Sequence, residues 1–149
     1  MPTEMAPFAL TIPSDLKLLS LARTFVETIC CNCRFDDSFC EAVQLATHEA
    51  LQNVIRHAHA GNTGALLQIQ VFPLEDGLEI RLLDEGEPFD VSNVPYLEPG
   101  ELRVGGRGVF LMRRLMDVLA SEPRRPQGNV LRMVKHCRLT PRRHMAGMT

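Results

Sequence analysis

No apolar run in the 149-residue chain approaches the ~18 residues needed to cross a bilayer, and the opening MPTEMAPFAL lacks the basic start and apolar core of a secretion signal. A cytoplasmic protein is the expectation. No excess of one charge is present either: 16 basic side chains face 18 acidic ones, so no overall field argues for nucleic acid or membrane as a partner. The imbalance is local, because from Pro123 onward there are seven Arg or Lys and no Asp or Glu, read as a solvated face and tail. Internal repeats and low-complexity segments are missing. The five cysteines are an odd number, which argues for free thiols rather than a disulfide framework. Four of them, Cys30, Cys31, Cys33 and Cys40, cluster, but CCNC…C matches no common zinc-ligand spacing.

What is present fits one domain, 1–149, large enough to bury a continuous core, with the core over about 8–138 and a basic tail over 139–149. FALTI, ended by Pro13, reads as an edge strand. Ser14 offers an N-cap to a first helix patterned by Leu16, Leu19, Phe25, Val26 and Ile29. Ser38 with Glu41 forms a capping box for a second helix running to about His59. Two alternating segments around Ile69 and Ile80, joined through Asp76-Gly77, predict a hairpin. The Pro- and Gly-containing stretch from Glu85 to Gly105 is long enough to be a lid. Val109, Phe110, Met112, Leu115, Met116 and Leu119 predict a third helix, and RPQGN turns into a last strand, VLRMVKH. Helices cannot be interleaved one by one with parallel strands in this order. The fold class is therefore α+β, with helices stacked on one face of a mostly antiparallel sheet.

Three clusters carry chemistry. His48-Glu49 opens like a zinc-protease helix, but such a helix needs a second His four residues on, and position 52 is Gln. Glu49 and Asn53 instead lie one turn apart on one helix face. They suit a hard Mg²⁺ ion beside phosphates and a proton acceptor, or they are a solvated face. Asp84-Glu-Gly86 ends a strand with a carboxylate that accepts but does not donate, as an adenine amino group requires; equally it is a turn Asp capping its own backbone. Gly105-Gly106-Arg107-Gly108 opens the third helix, where backbone N–H groups and the helix dipole attract phosphate, or is an ordinary flexible helix start. A P-loop is absent, as is the HRD loop of eukaryotic protein kinases.

Taken together, HEALQNVIRHA resembles the N box, DEGEPFD the first glycine box and GGRGVFLMRRL the second glycine box of the gyrase, heat-shock chaperone, histidine kinase and MutL ATPase superfamily. The order and spacing of the boxes are more specific than any one of them. Within the superfamily, the short length, two leading helices and D-x-G-x-P look most like the anti-sigma serine kinases, over about Phe8 to Lys135. The resemblance implies a two-layer α/β sandwich of the Bergerat type that binds ATP or ADP with Mg²⁺. On this resemblance Asp84 binds the adenine amino group and Gly86 shapes the pocket. Asn53 ligates Mg²⁺, Glu49 is the general base, and Arg56 and His57 lie near the phosphates. The second glycine box contributes Gly106, Arg107, Gly108 and Val109 to the nucleotide side, and 87–105 is the ATP lid. Arg103 or Arg107 could meet the γ-phosphate, neither being assigned by the motif. The sequence departs from the family at Pro88, which stands where the superfamily's first box carries a second glycine.

The function implied is a serine kinase and anti-sigma factor that holds a sigma factor from RNA polymerase and phosphorylates a small anti-anti-sigma antagonist of the STAS-domain type. A homodimer is also implied. The alternative is a kinase-inactive module that controls a partner by nucleotide-gated contact. A histidine kinase would need a longer helical segment before the N box, and a topoisomerase or chaperone further domains.

Overall fold

The structure, a computed structural model, describes residues 7–58, 64–86 and 107–137; of 57, 58 and 107 it describes the backbone alone. Chain order is β1 (Phe8–Pro13), a short 3₁₀ turn (Leu16–Leu18), α1 (Leu19–Asn32), α2 (Asp37–Asn53), a π turn (Val54–Ala58), β2 (Leu66–Leu74), β3 (Gly77–Asp84), α3 (Arg107–Leu115), β4 (Val118–Pro123) and β5 (Asn129–His136). The strands form one five-stranded sheet in the order β1-β2-β3-β5-β4, and every pairing among the described residues is antiparallel. Among the described residues no helix is long and apolar enough to cross a membrane.

Strand alternation sorts the side chains into two faces. Ile12, Leu67, Ile69, Val71, Leu78, Ile80, Leu82, Leu131 and Met133 are all buried toward the helices. Ala22, Val26 and Ile29 of α1 and Val43, Ala46, Ala50 and Leu51 of α2 recur at helical spacing and complete the core. On the opposite sheet face Glu79 is buried by its neighbours and satisfied by them. Its two oxygens accept from Arg81 Nε (2.7 Å) and Arg132 Nε (2.8 Å), while the Arg81 guanidinium lies over the Phe72 ring at 4.4 Å.

The helix starts differ from the sequence expectation. The second helix is capped by Asp36, whose Oδ1 accepts from Phe39 N–H at 2.7 Å, and Ser38 lies inside it. Arg34, at φ 60°, turns the chain so that Asp36 enters extended, the conformation an N-cap needs, and its charge also suits the helix dipole. Ser14 is buried and donates its N–H to Ala65 O at 2.8 Å, prolonging the β1–β2 ladder; Asp15 caps the 3₁₀ turn by accepting from Lys17 N–H at 3.0 Å. The third helix also stops earlier than expected. Asp117 donates its N–H to Val134 O at 2.8 Å and accepts from His136 N–H at 2.7 Å, which pulls the chain onto the sheet. Leu119 consequently sits in β4, opposite Met133, and not in a helix.

Candidate functional site

The second helix brings Glu49 and Asn53 to its C-terminal end, and α3 begins against them. Val109 and Met112 are buried and fix α3 on the core, which seats Gly108 directly over both side chains. A Cβ at Gly108 would stand 3.1 Å from Glu49 Oε2, 3.3 Å from Asn53 Nδ2 and 3.5 Å from Asn53 Oδ1. The backbone at a helix start, a carboxylate and a neutral amide therefore share one small space. Helix N-termini carry unsatisfied N–H groups and positive potential, while carboxylate and amide oxygens are hard donors of the kind Mg²⁺ takes. The residues present fit a phosphate with its magnesium ion.

A second constellation lies at the C-terminal end of β3. Asp84 is only 2% exposed, and its Oδ1 accepts from Gly86 N–H at 2.8 Å and from Asn129 Nδ2 at 3.2 Å. Among the described residues both donors use the same oxygen, which leaves the other able to accept from an amino group. The β3–β5 register sets Asp84 opposite Asn129, and Gly128 immediately before it takes φ +115° with the Asp84 carbonyl packed where a side chain would be. A hydrogen-bonded, buried carboxylate suits an amino-bearing base, and a glycine-containing helix start over a carboxylate and an amide suits a phosphate chain.

Comparison with known proteins agrees with that geometry. The pattern of the histidine kinase-like ATPase domain family matches residues 12–135. The chain belongs to this family. Within it the chain is 32% identical over 126 residues to the serine-protein kinase RsbW of Listeria monocytogenes (serotype 4a), covering 78% of this chain and 80% of the relative. The RsbW of Oceanobacillus iheyensis is 32% identical over 114 residues, covering 71% and 72% of the two chains. A solved structure of the RsbU and RsbW domains of Rv1364c from Mycobacterium tuberculosis shares the fold at a TM-score of 0.61 and 11% identity, over 89% of this chain and 32% of that one.

In this ATPase-family chain the residues expected from sequence do not all fall where they can be described. Glu49, Asn53 and Gly108 come together, and Asp84 and Gly86 do so through a hydrogen bond. Val109 is buried in the core and holds α3 in place. Arg56 is exposed on the π turn, and His57 follows it with its side chain outside the description. Arg107 begins α3, also without a described side chain, and Gly106, the 87–105 lid and the 139–149 tail lie outside the described residues. His48 lines a cleft between α1 and α2 with Arg23, Glu41, Gln44 and Leu45. Among the described residues no three His, Cys, Asp or Glu side chains are grouped to hold a metal ion. Gly128 and Asn129 are not singled out by the sequence; the glycine before Asn129 in RPQGN marks the turn into the last strand, but not the pairing of Asn129 with Asp84.

Proposed function

We propose that this chain is an ATP- and Mg²⁺-dependent protein serine kinase, with Glu49 as general base, Asn53 as magnesium ligand, Gly108 as phosphate-binding backbone and Asp84 as the adenine acceptor. The observation that carries this reading is the seating of Gly108 over Glu49 and Asn53. Phosphoryl transfer needs little covalent work from the protein: positioning and charge stabilisation dominate. Magnesium, when bound, neutralises phosphate charge. Asn53 contributes a neutral oxygen to it, α3 presents N–H groups and its dipole to the phosphates, and Glu49 takes the proton from the attacking seryl hydroxyl. By resemblance to the family's boxes, Gly106, Arg107, Arg56 and His57 belong to the phosphate side and 87–105 to the ATP lid.

The relatives are named serine-protein kinases, and the box pattern is that of anti-sigma kinases. We therefore assign the chain a partner-switching role in the cytoplasm. A homodimer holds a sigma factor and phosphorylates a STAS-domain antagonist on serine. The test is transfer of labelled γ-phosphate from ATP to candidate antagonists, comparing wild type with Glu49→Gln. Loss of a general base lowers the rate by roughly 10²–10⁴-fold. ATP affinity should stay within a few-fold, because the carboxylate acts on the hydroxyl and not on the base. Transfer at the wild-type rate in Glu49→Gln would remove Glu49 from the mechanism. ATP binding without transfer to any protein would favour a nucleotide-gated module instead.

A further inference from the structure

The cysteines take no part in the nucleotide site, yet four of them meet where α1 hands over to α2. Cys30 and Cys31 end α1, Cys33 lies in the joint, and Cys40 is in the first turns of α2. Cys30 is fully buried and Cys40 nearly so; the two thiols are close enough to perturb one another, and Cys40 Sγ donates to Phe35 O at 3.8 Å. Cys31 is exposed. It shares with Cys40 a cleft of about 480 Å³, also lined by Phe35 and by the acidic side chains Glu27, Asp37 and Glu41. A cleft of that volume admits a small molecule. Three sulfurs thus run in sequence from solvent to core.

We propose that this joint is a thiol–disulfide exchange site, at which exposed Cys31 receives a small neutral or cationic disulfide and Cys40 and Cys30 convert the adduct into a bond tying α1 to α2. The Cys31 thiolate attacks one sulfur of R–S–S–R, breaking that bond; the leaving RS⁻ takes up a proton equivalent to the one Cys31 gave up. Cys40 then attacks the Cys31 sulfur, expels the second RSH and leaves Cys31–Cys40. Cys30 attacks the Cys40 sulfur and restores the Cys31 thiol. In sum two protein thiols lose two electrons and two protons, and R–S–S–R becomes two RSH. Cys31 is exposed while Cys30 and Cys40 are covered, so the route begins at Cys31; burial pushes the Cys40 and Cys30 thiols up, and they react only once a mixed disulfide on the neighbouring sulfur is held against them. The three carboxylates select the charge of the incoming disulfide.

The full-length protein is treated with cystamine or with oxidised glutathione, quenched with a maleimide and digested with trypsin. Cleavage after Arg34 separates the Thr24–Arg34 peptide, with Cys30, Cys31 and Cys33, from the Phe35–Arg56 peptide with Cys40. Wild type should give these two peptides joined through Cys30 and Cys40, several-fold faster with the cationic disulfide than with the anionic one. Cys31→Ser, a change at an exposed position, should form the same bond at least tenfold more slowly. Cys40→Ser, or Cys40→Ala should the serine disturb packing, should halt at a cysteamine adduct on Cys31. The proposal is overturned if wild type forms no such bond, if Cys31 links two chains instead, or if Cys31→Ser reacts at the wild-type rate.

Discussion

Gly108→Ala tests the catalytic geometry with the smallest available change. The glycine has ordinary helical backbone, so alanine introduces no conformational strain, and in a helix it gains up to roughly 1 kcal/mol over glycine. Its methyl carbon would meet Glu49 Oε2 at 3.1 Å and Asn53 Nδ2 at 3.3 Å, closer than relaxed carbon–heteroatom packing. Both neighbours sit on side chains able to move, so each gives way by a few tenths of an ångström. A 1 Å misplacement can cost about 10²-fold in rate, and a few tenths therefore something like 5–20-fold. Single-turnover transfer from ATP to a protein serine measures this, with thermal unfolding alongside. The expected result is a melting temperature equal to or slightly above wild type together with that slower transfer. Gly108→Val, which fills the remaining space, should lose more than 100-fold by the same scale. Wild-type transfer in both variants would refute the placement of Glu49 and Asn53 at the reacting phosphate; a large fall in melting temperature would mean that Gly108 serves packing instead.

Asp84→Asn must set an NH₂ either against Gly86 N–H and Asn129 Nδ2 or toward the ligand amino group, and a clash of donors costs about 1–3 kcal/mol, roughly 5–150-fold in ATP affinity by titration calorimetry. Gly128→Ala forces φ +115° on a side-chain-bearing residue and drives its methyl into the Asp84 carbonyl; a cost of at least about 1–3 kcal/mol should lower the melting temperature by roughly 5 °C or more. Burial raises the Cys30 pKa above its ordinary 9.0. Below that pH both states hold the proton; above it the unfolded chain releases it first, so stability falls as pH rises. Denaturant titrations at successive pH values above 9.0 should show wild type losing stability faster than Cys30→Ala.

How much of this was legible beforehand depended on sequence distance. Glu49 and Asn53 share a helix face, and Gly86 folds back on Asp84 within two residues, so local spacing carried them. The meeting of Gly108 with Glu49 could be inferred only because three boxes occurred in order. Asn129 could not be read at all: its importance arises from a ladder pairing it with Asp84, 45 residues earlier, and nothing in GNVLRM states that register. Leu119 was misread because Leu115, Met116 and Leu119 fit helical spacing, whereas the deciding bonds run from Asp117 to β5. The choice between Asp36 and Ser38 as cap turned on the backbone of Arg34, which the residue type did not announce.

The two halves of the site are held to one another through β5. At its start Asn129 steadies the carboxylate of Asp84. Near its end Lys135 Nζ donates to Leu115 O at 2.8 Å, satisfying a carbonyl at the C-terminus of α3 where a cation also suits the dipole. The same ammonium lies 5.9 Å from the Phe39 ring of α2, itself stacked on Phe35. The strand thus anchors the helix whose first turn carries Gly108, and it leans on the helix that carries Glu49 and Asn53. The separation between Asp84 and the start of α3 is then constrained by a single extended segment paired on both sides, β3 and β4, and is stiffer than two independent loops would make it. Such rigidity suits a site whose chemistry depends on positioning.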